Sequence, residues 1–346
     1  MNKKEGVILA TIKDIADKAG VSTATVSNVI KGKKGKVSEK TIEKIKKIIE
    51  ELNYVPSMGA RILSEKRSKI IGVICNFMNV TDNSLKDPFT AELLGVIESE
   101  IRKNKYYMML YASNKPEEIK KLISTWSVDG LIFAGINEKT YNSLIKISKK
   151  PIVVIDGYYK NKDFYNVGTN DEEGGYIITK YLLDKGHKNI IFADETNKKG
   201  TIIKTVDGER LKGFKRALKE MGIEYTTENH IYIDTFNKQK SVDKILKHKN
   251  ITAVVCASDN IAFEVINCLK NRNIKIPEDI SVTGFDNVYL SNLSSPTLTT
   301  INQNINEKGC KAVNMLIDII EEKSIENNNI RISVDIKERN SVKNMK

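Results

Sequence analysis

Apolar residues recur at helical spacing through the first fifth of the chain, then from Ile70 condense into short runs separated by longer amphipathic stretches. Ile12, Ile15, Ala16 and Ala19 share one helical face. Thr11 is placed to cap that helix, with Asp14 as its partner in a capping box. Gly20 breaks the helix and Val21 supplies an apolar plug in the turn. Ser22 caps a second helix with apolar positions Val26, Val29 and Ile30, stopped at Lys31-Gly32. A third begins at Ser38, buries Ile42, Ile45, Ile48, Ile49 and Leu52, and closes at Tyr54 and Pro56. Two helices joined by a short Gly-containing turn form a helix-turn-helix, whose second helix enters the major groove of DNA. Its outward face here offers Thr23, Ala24, Thr25, Ser27 and Asn28, small and uncharged. An ordinary soluble helix surface would look the same.

Beyond Ile70 the apolar runs predict strands at Ile70–Cys75, Tyr107–Tyr111, Gly130–Ala134, Ile152–Ile155, Asn189–Ala193, Ile231–Asp234, Ala253–Ala257 and Ser281–Phe285. The stretches between them predict helices near 89–104, 117–126, 140–148, 172–185, 208–221, 239–248, 260–272 and 306–322. Such alternation builds parallel sheets covered by helices on both faces. There are too many strands for one compact sheet. The expected fold is therefore an N-terminal all-α helix-turn-helix headpiece plus an α/β core of two parallel-sheet lobes. The expected domains are a headpiece at 9–56, a hinge at 57–69 and a core at 70–340, with the chain crossing between lobes near 160–168 and 297–303. Open α/β sheets bind ligands beyond the carboxyl ends of their strands. There "PIVVID" ends in Asp156, "ISVTGFD" ends in Asp286, and "AVVCAS" leads into Ser258, Asp259 and Asn260. Carboxylates and amides so placed can grip hydroxyl groups. For Ser258 or Asp259, simple capping of the helix that follows accounts for the residue equally well.

Length and composition narrow the function. At 346 residues the chain has room for two or three domains, and 40% apolar with 29% charged residues is ordinary for a globular protein. The longest apolar runs are too short to span a membrane. Lys3 and Lys4 are followed only by the short Gly6–Ile12, too little for a secretory signal, so a cytoplasmic location is expected. The four cysteines and three histidines are scattered, without the spacing of a zinc site or a disulfide framework, and neither a metal nor another cofactor is expected. Of the net charge of +12, most sits at one end. The first 69 residues carry 16 Lys and Arg against 8 Asp and Glu, the remaining 277 carry 40 against 36. That asymmetry is the footprint of a phosphate-backbone binder, although a solvated basic face gives the same balance. No nucleophile elbow, Walker loop, dinucleotide fingerprint or metal-ligand cluster appears, so catalysis is not expected. An extracytoplasmic solute-binding protein would suit the core alone; the basic head opposes it.

Residues 11–69, through "IKDIADKAGVS-ATVS-VI" and "ELNYVPS--AR-L", resemble the headpiece of the LacI/GalR (lactose and galactose repressor) family. The resemblance implies that Thr23, Ala24 and Asn28 read bases, while Ser22, Thr25, Ser27 and Asn53 hold phosphates or the fold. The implied DNA-facing set also takes in Thr11, Lys33 and Lys34 of the Lys-rich loop, and Arg61. Many relatives carry Arg where Asn28 stands. Asn pairs bidentately with adenine where Arg prefers guanine, so the operator is expected to depart from the family's usual half-site. "SMGARILS" matches the family's hinge, in which Leu63 falls where relatives wedge a leucine into the minor groove, kinking the duplex at a cost of about a few kcal/mol. A plain linker residue is the alternative for Leu63. Gly59 weakens a hinge helix by about 1 kcal/mol, which leaves its folding more dependent on DNA.

The core resembles the type I periplasmic-sugar-binding-protein fold, through "RLKGF", "ASDNIAF" and "GFDN" and as far as "INQNINEKGCKAVNMLIDIIE". By that match Arg210, Ser258 and Asp286 contact an effector, with Asp156 and Phe89 (in "DPF") contributing from the other lobe. The guanidinium of Arg210 suits a carboxylate, a phosphate or a vicinal hydroxyl pair, or else a surface ion pair. His187 reads as structural, and Trp126 as packed rather than stacked on ligand. The resemblance as a whole implies a repressor that binds a palindromic operator in double-stranded DNA as a homodimer or a tetramer. A small effector, expected to be a carbohydrate, controls it from the inter-lobe cleft. No membrane partner is expected.

Overall fold

The structure, a computed structural model, describes all residues except 1–9, 31, 33–34, 55–66, 76–83, 114, 161–162, 196–204, 235–236 and 249. Two compact units divide the chain, residues 1–68 and 69–346. In the first, the described residues form three helices: α1 (Ile12–Ala19), α2 (Thr23–Ile30) and α3 (Glu39–Glu51). Ile15, Ala16 and Ala19 of α1, Val26 of α2, and Ile45 and Ile48 of α3 are buried together with Tyr54. These are the apolar stripes that the 3.6-residue period places on facing sides. Lys18 on α1 and Glu51 on α3 pair at 2.8 Å across the top of this small core, both half exposed.

The second unit holds two six-stranded sheets. The first lobe contains β1 (Ile70–Cys75), α4 (Pro88–Lys103), β2 (Tyr107–Ala112), α5 (Pro116–Thr125), β3 (Gly130–Ala134), α6 (Glu138–Ile145), β4 (Ile152–Ile155) and β5 (Tyr165–Thr169). The second contains α7 (Asp171–Asp184), β6 (Ile190–Asp194), α8 (Val206–Glu220), β7 (His230–Tyr232), α9 (Lys238–Lys247), β8 (Ala253–Cys256), α10 (Asp259–Lys270), β9 (Ser281–Asp286) and β10 (Thr299–Asn302). The chain then returns through α11 (Ile305–Ile320) and β11 (Asn329–Ile332) to the first lobe, and ends with β12 (Asp335–Lys337) in the second. Strand order is β11-β5-β4-β3-β1-β2 in one sheet and β12-β10-β9-β8-β6-β7 in the other. All pairings are parallel except β12 with β10. Central strands such as β3, β4 and β8 are buried along their whole length, which is why they read as unbroken apolar runs.

The chain thus crosses between lobes three times: at Asn170, at Gln303–Asn304 and between Ile332 and Asp335. The window 160–168, expected to carry the first crossing, instead holds most of β5, and the third crossing was not expected at all. The core also continues past 340: Ser341 Oγ donates to the Val282 carbonyl at 2.6 Å, and the Met345 amide reaches the Lys185 carbonyl at 2.9 Å.

Helices α7 and α8 cross at backbone contact. A Cβ on Gly213 would lie 2.0 Å from the Glu172 carbonyl oxygen, and one on Gly175 would lie 2.1 Å from that of Arg210. Only glycine permits such an approach. It brings the second turn of α8, with Arg210, against the start of α7, with Asp171.

Candidate functional site

In the headpiece, the Thr11 amide and hydroxyl both donate to Asp14 Oδ2 at 2.7 Å, and the Asp14 amide returns a bond to Thr11 Oγ1 at 3.3 Å. This is the capping box read from the sequence. The Thr11 hydroxyl and then its amide hold the Asp14 carboxyl below the usual range. Gly20 ends α1 at a left-handed φ of 67°. Ser22 Oγ accepts from the Thr25 amide at 3.1 Å and pairs with the Thr25 hydroxyl at 2.9 Å, so both residues serve the start of α2. Thr23 and Ala24 are exposed, and Ser27 and Asn28 half-buried. Among the described residues no hydrogen bond engages the side chains of Thr23, Ser27 or Asn28. Asn53 is exposed at a left-handed φ of 46°. Lys33, Lys34, Arg61, Leu63 and the expected hinge as far as residue 66 lie outside the described residues.

In the core, Asp156, Arg210 and Asp286 meet in one buried polar network with residues not singled out from the sequence. Arg210 Nε donates to Asp171 Oδ1 at 2.8 Å and Nη1 to the Ala257 carbonyl at 2.5 Å. Asp286 lies 3.7 Å from Nη1, and the guanidinium stacks on the Phe285 ring at 3.6 Å. No hydrogen bond among the described residues engages Nη2. Gln303 Nε2 donates to Asp286 Oδ1 at 2.5 Å. Lys308 Nζ donates to both Asp156 oxygens at 2.8 Å and to Gln303 Oε1. Tyr158 donates to Asp171 Oδ2 at 2.5 Å, which ties the loop after β4 to the start of α7. Phe89, in the first turn of α4, lies with its ring centroid 5.4 Å from Lys308 Nζ. Asp156 and Asp286 both adopt positive φ, 57° and 131°. Non-glycine residues hold such backbone only where the surroundings enforce it, and functional sites collect them.

Carboxyl groups outnumber cations around this network. Burial raises the Asp286 carboxyl well above its usual range, opposed by Arg210. Burial, reinforced by Glu264, pushes Glu195 up to about 7, and burial opposed by Arg210 raises Asp207 to about 7. With Arg210 already paired to Asp171, the site offers little to an anionic ligand. It suits a neutral, hydrogen-bonding one.

Ser258 caps α10, its Oγ accepting from the Ile261 amide at 3.2 Å, which is the capping alternative the sequence left open. Asp259 is buried and accepts from the Val288 amide, Ser291 and Thr300, so it anchors the loop after β9 to strand β10. His187 is buried, its Nε2 bonded to the Lys343 carbonyl at 3.0 Å and near Ser281. Trp126, expected to pack, is instead 55% exposed at the end of α5, where the chain turns towards β3 with the ring left outside. Sequence reasoning also missed Lys308, although a lysine on the apolar stripe of Ile305, Ala312 and Leu316 was a visible signal. Gln303, Asp171 and Tyr158 carried none. The described cysteines are free, three buried and Cys310 half-buried. Among the described residues, no group of three or more His, Cys, Asp or Glu is placed to hold a metal ion. No described helix is long and apolar enough to cross a membrane.

Comparison with known proteins follows the same division. Residues 11–57 match the family described as "Bacterial regulatory proteins, lacI family", and residues 179–342 match the "Periplasmic binding protein-like domain". The HTH-type transcriptional repressor PurR of Histophilus somni (strain 2336) is 34% identical over 346 residues, covering 97% of this chain and 100% of that protein. Among solved structures, the lac repressor dimer bound to operator and the anti-inducer ONPF aligns with a TM-score of 0.82 at 23% identity, covering 96% of this chain and 99% of that one. A LacI family transcriptional regulator from Enterococcus faecium with bound ribose aligns at 0.68 and 27% identity, covering 80% of this chain and 100% of that one.

Proposed function

The chain belongs to the LacI family of bacterial regulatory proteins as a DNA-binding transcriptional repressor with a ligand-binding core, and we propose that it acts as a homodimer on a palindromic operator under control of a small effector. In this reading Thr23, Ala24 and Asn28 contact base edges, and Ser22, Thr25 and Ser27 set the helix on the phosphates. Thr11, Lys33, Lys34, Asn53 and Arg61 hold the backbone, and Leu63 enters the minor groove. As a regulator acting on genomic DNA, it works in the cytoplasm. The observation that carries the reading is the outer face of α2. The Thr23 and Ser27 hydroxyls and the Asn28 amide make no hydrogen bond among the described residues, Thr25 being taken up in the cap with Ser22, while the inner face closes a core.

The effector site lies between the lobes at the strand ends, bounded by Phe89 and Asp156 on one side and Arg210, Ser258 and Asp286 on the other. Its surplus of carboxyl groups favours a neutral polyhydroxylated ligand, a sugar or a sugar-like molecule. Arg210 holds Asp286 in place and presents Nη2. An effector that binds two lobe arrangements unequally shifts operator affinity by its differential, about 1–3 kcal/mol or 5- to 150-fold. The test is a gel shift on palindromic genomic sites, repeated across a panel of sugars and nucleobases. A retarded complex whose affinity changes with a sugar supports the reading. A response to nucleobases alone overturns the carbohydrate assignment, and no retarded complex on any site overturns the operator.

A further inference from the structure

Lys308 stands out in the cleft because it is a lysine with no exposed side-chain surface, one turn into α11. An ammonium is rarely buried unless paired, and this one has all three N–H groups taken, two by Asp156 and one by Gln303. Asp156 terminates β4 in the first lobe. Gln303 lies on the second crossing, and from there its Nε2 reaches Asp286, which terminates β9 in the second lobe. Thr169, at the end of β5 just before the first crossing, also donates to Gln303 Oε1, at 3.2 Å. The result is an unbroken line, Asp156–Lys308–Gln303–Asp286, that begins on one candidate effector residue and ends on another, passing through a segment where the chain changes lobes.

We infer that Lys308 is a built-in bridging group: an ammonium supplied by the protein itself that joins the two lobes through Gln303 and holds them in their present arrangement. An effector entering the cleft must then break or rebuild this line, so the ligand-free lobe equilibrium is set by the lysine and not by solvent. The inference rests on reading the cleft as the effector site.

Two variants of the full chain test it. K308M/D156N removes both charges together, which avoids stranding a buried carboxylate. Q303L cuts the line to Asp286 and leaves the Lys308–Asp156 pair. The readouts are hydrogen exchange of the amides at residues 302–308, and affinity for a duplex selected from a random palindromic library with no small molecule present. Both variants are expected to exchange faster there and to shift duplex affinity in a common direction, each by about fivefold or more, the lower end of allosteric coupling. Folded variants that match the wild type in both readouts overturn the inference. If K308M/D156N does not fold, Q303L alone decides. If the wild type selects no duplex, the functional reading falls, while the exchange measurement still supports or overturns the bridge.

Discussion

Replacing Arg210 with methionine keeps the stem of the side chain and removes the guanidinium. Asp171 and Asp286, almost fully buried, then lose their nearest cation, and the Ala257 carbonyl loses its donor. Removing one partner of a buried pair costs about 3–5 kcal/mol. An unmade buried hydrogen bond costs about 1–3 kcal/mol. These overlap, because a stranded carboxylate can take up a proton, and Asp286 is already displaced in that direction. The net loss is therefore about 4–6 kcal/mol. At roughly 2–4 °C per kcal/mol for a large domain, the melting transition of the core falls by about 10–20 °C. Differential scanning calorimetry of the full chain reads this directly. The headpiece, with its separate core around Ile15, Val26 and Ile45, serves as an internal control. Lysine at the same position restores charge without the planar fork and recovers only part of the loss. If R210M lost effector binding yet melted within about 2 °C of the wild type, the guanidinium would be a ligand contact alone and this reasoning would be refuted.

Gly213→Ala should destabilise the core by about 3 kcal/mol or more, since its Cβ would lie 2.0 Å from the Glu172 carbonyl oxygen and 2.4 Å from the Tyr176 nitrogen; an unchanged denaturant midpoint would show that α7 and α8 can part freely. Asn28→Ala should cost about 1–3 kcal/mol of discrimination at one base pair. Neutralising Lys33 and Lys34 should weaken all duplexes alike and lower the salt slope by about two; equal losses across sequences from both changes would remove the distinction between reading and holding. Glu195 and Asp207 sit at about 7 in the fold. The usual carboxylate range is about 4. Because these values are raised, the folded protein binds more protons than the unfolded chain between them, so core stability should fall as pH rises from about 4 to about 7 and level off above. E195Q/D207N should flatten that profile, and an unaltered slope would count against the acidic cleft.

Most of the core could be read from the chain because its central strands are apolar throughout and its helices keep their period. The strands that escaped are those without a run of buried apolar residues. In β5, Asn166 is fully buried, accepting from the Gly157 amide and donating to Asn329, so the sheet is held by amide groups that a hydrophobic pattern does not register. β10, β11 and β12 are short and mixed for the same reason: they border the crossings, where backbone changes lobes and polar partners replace apolar ones. Asp156 and Asp286 could be located by the rule that ligands gather beyond strand ends. Of their partners Lys308 left a trace, a lysine on an apolar helical stripe, whereas Gln303 and Asp171 left none, because only the tertiary fold brings the second crossing and the start of α7 to the same place.

Sequence reading by α2 shows in the ratio of affinities for a selected palindromic duplex and a scrambled one at fixed salt. A base-reading helix gives a ratio of about a thousand or more for the wild type. That ratio should collapse when Thr23, Ala24 and Asn28 are replaced together, while weak binding to both duplexes persists. A wild-type ratio near one, with and without small molecules, would contradict base reading by α2.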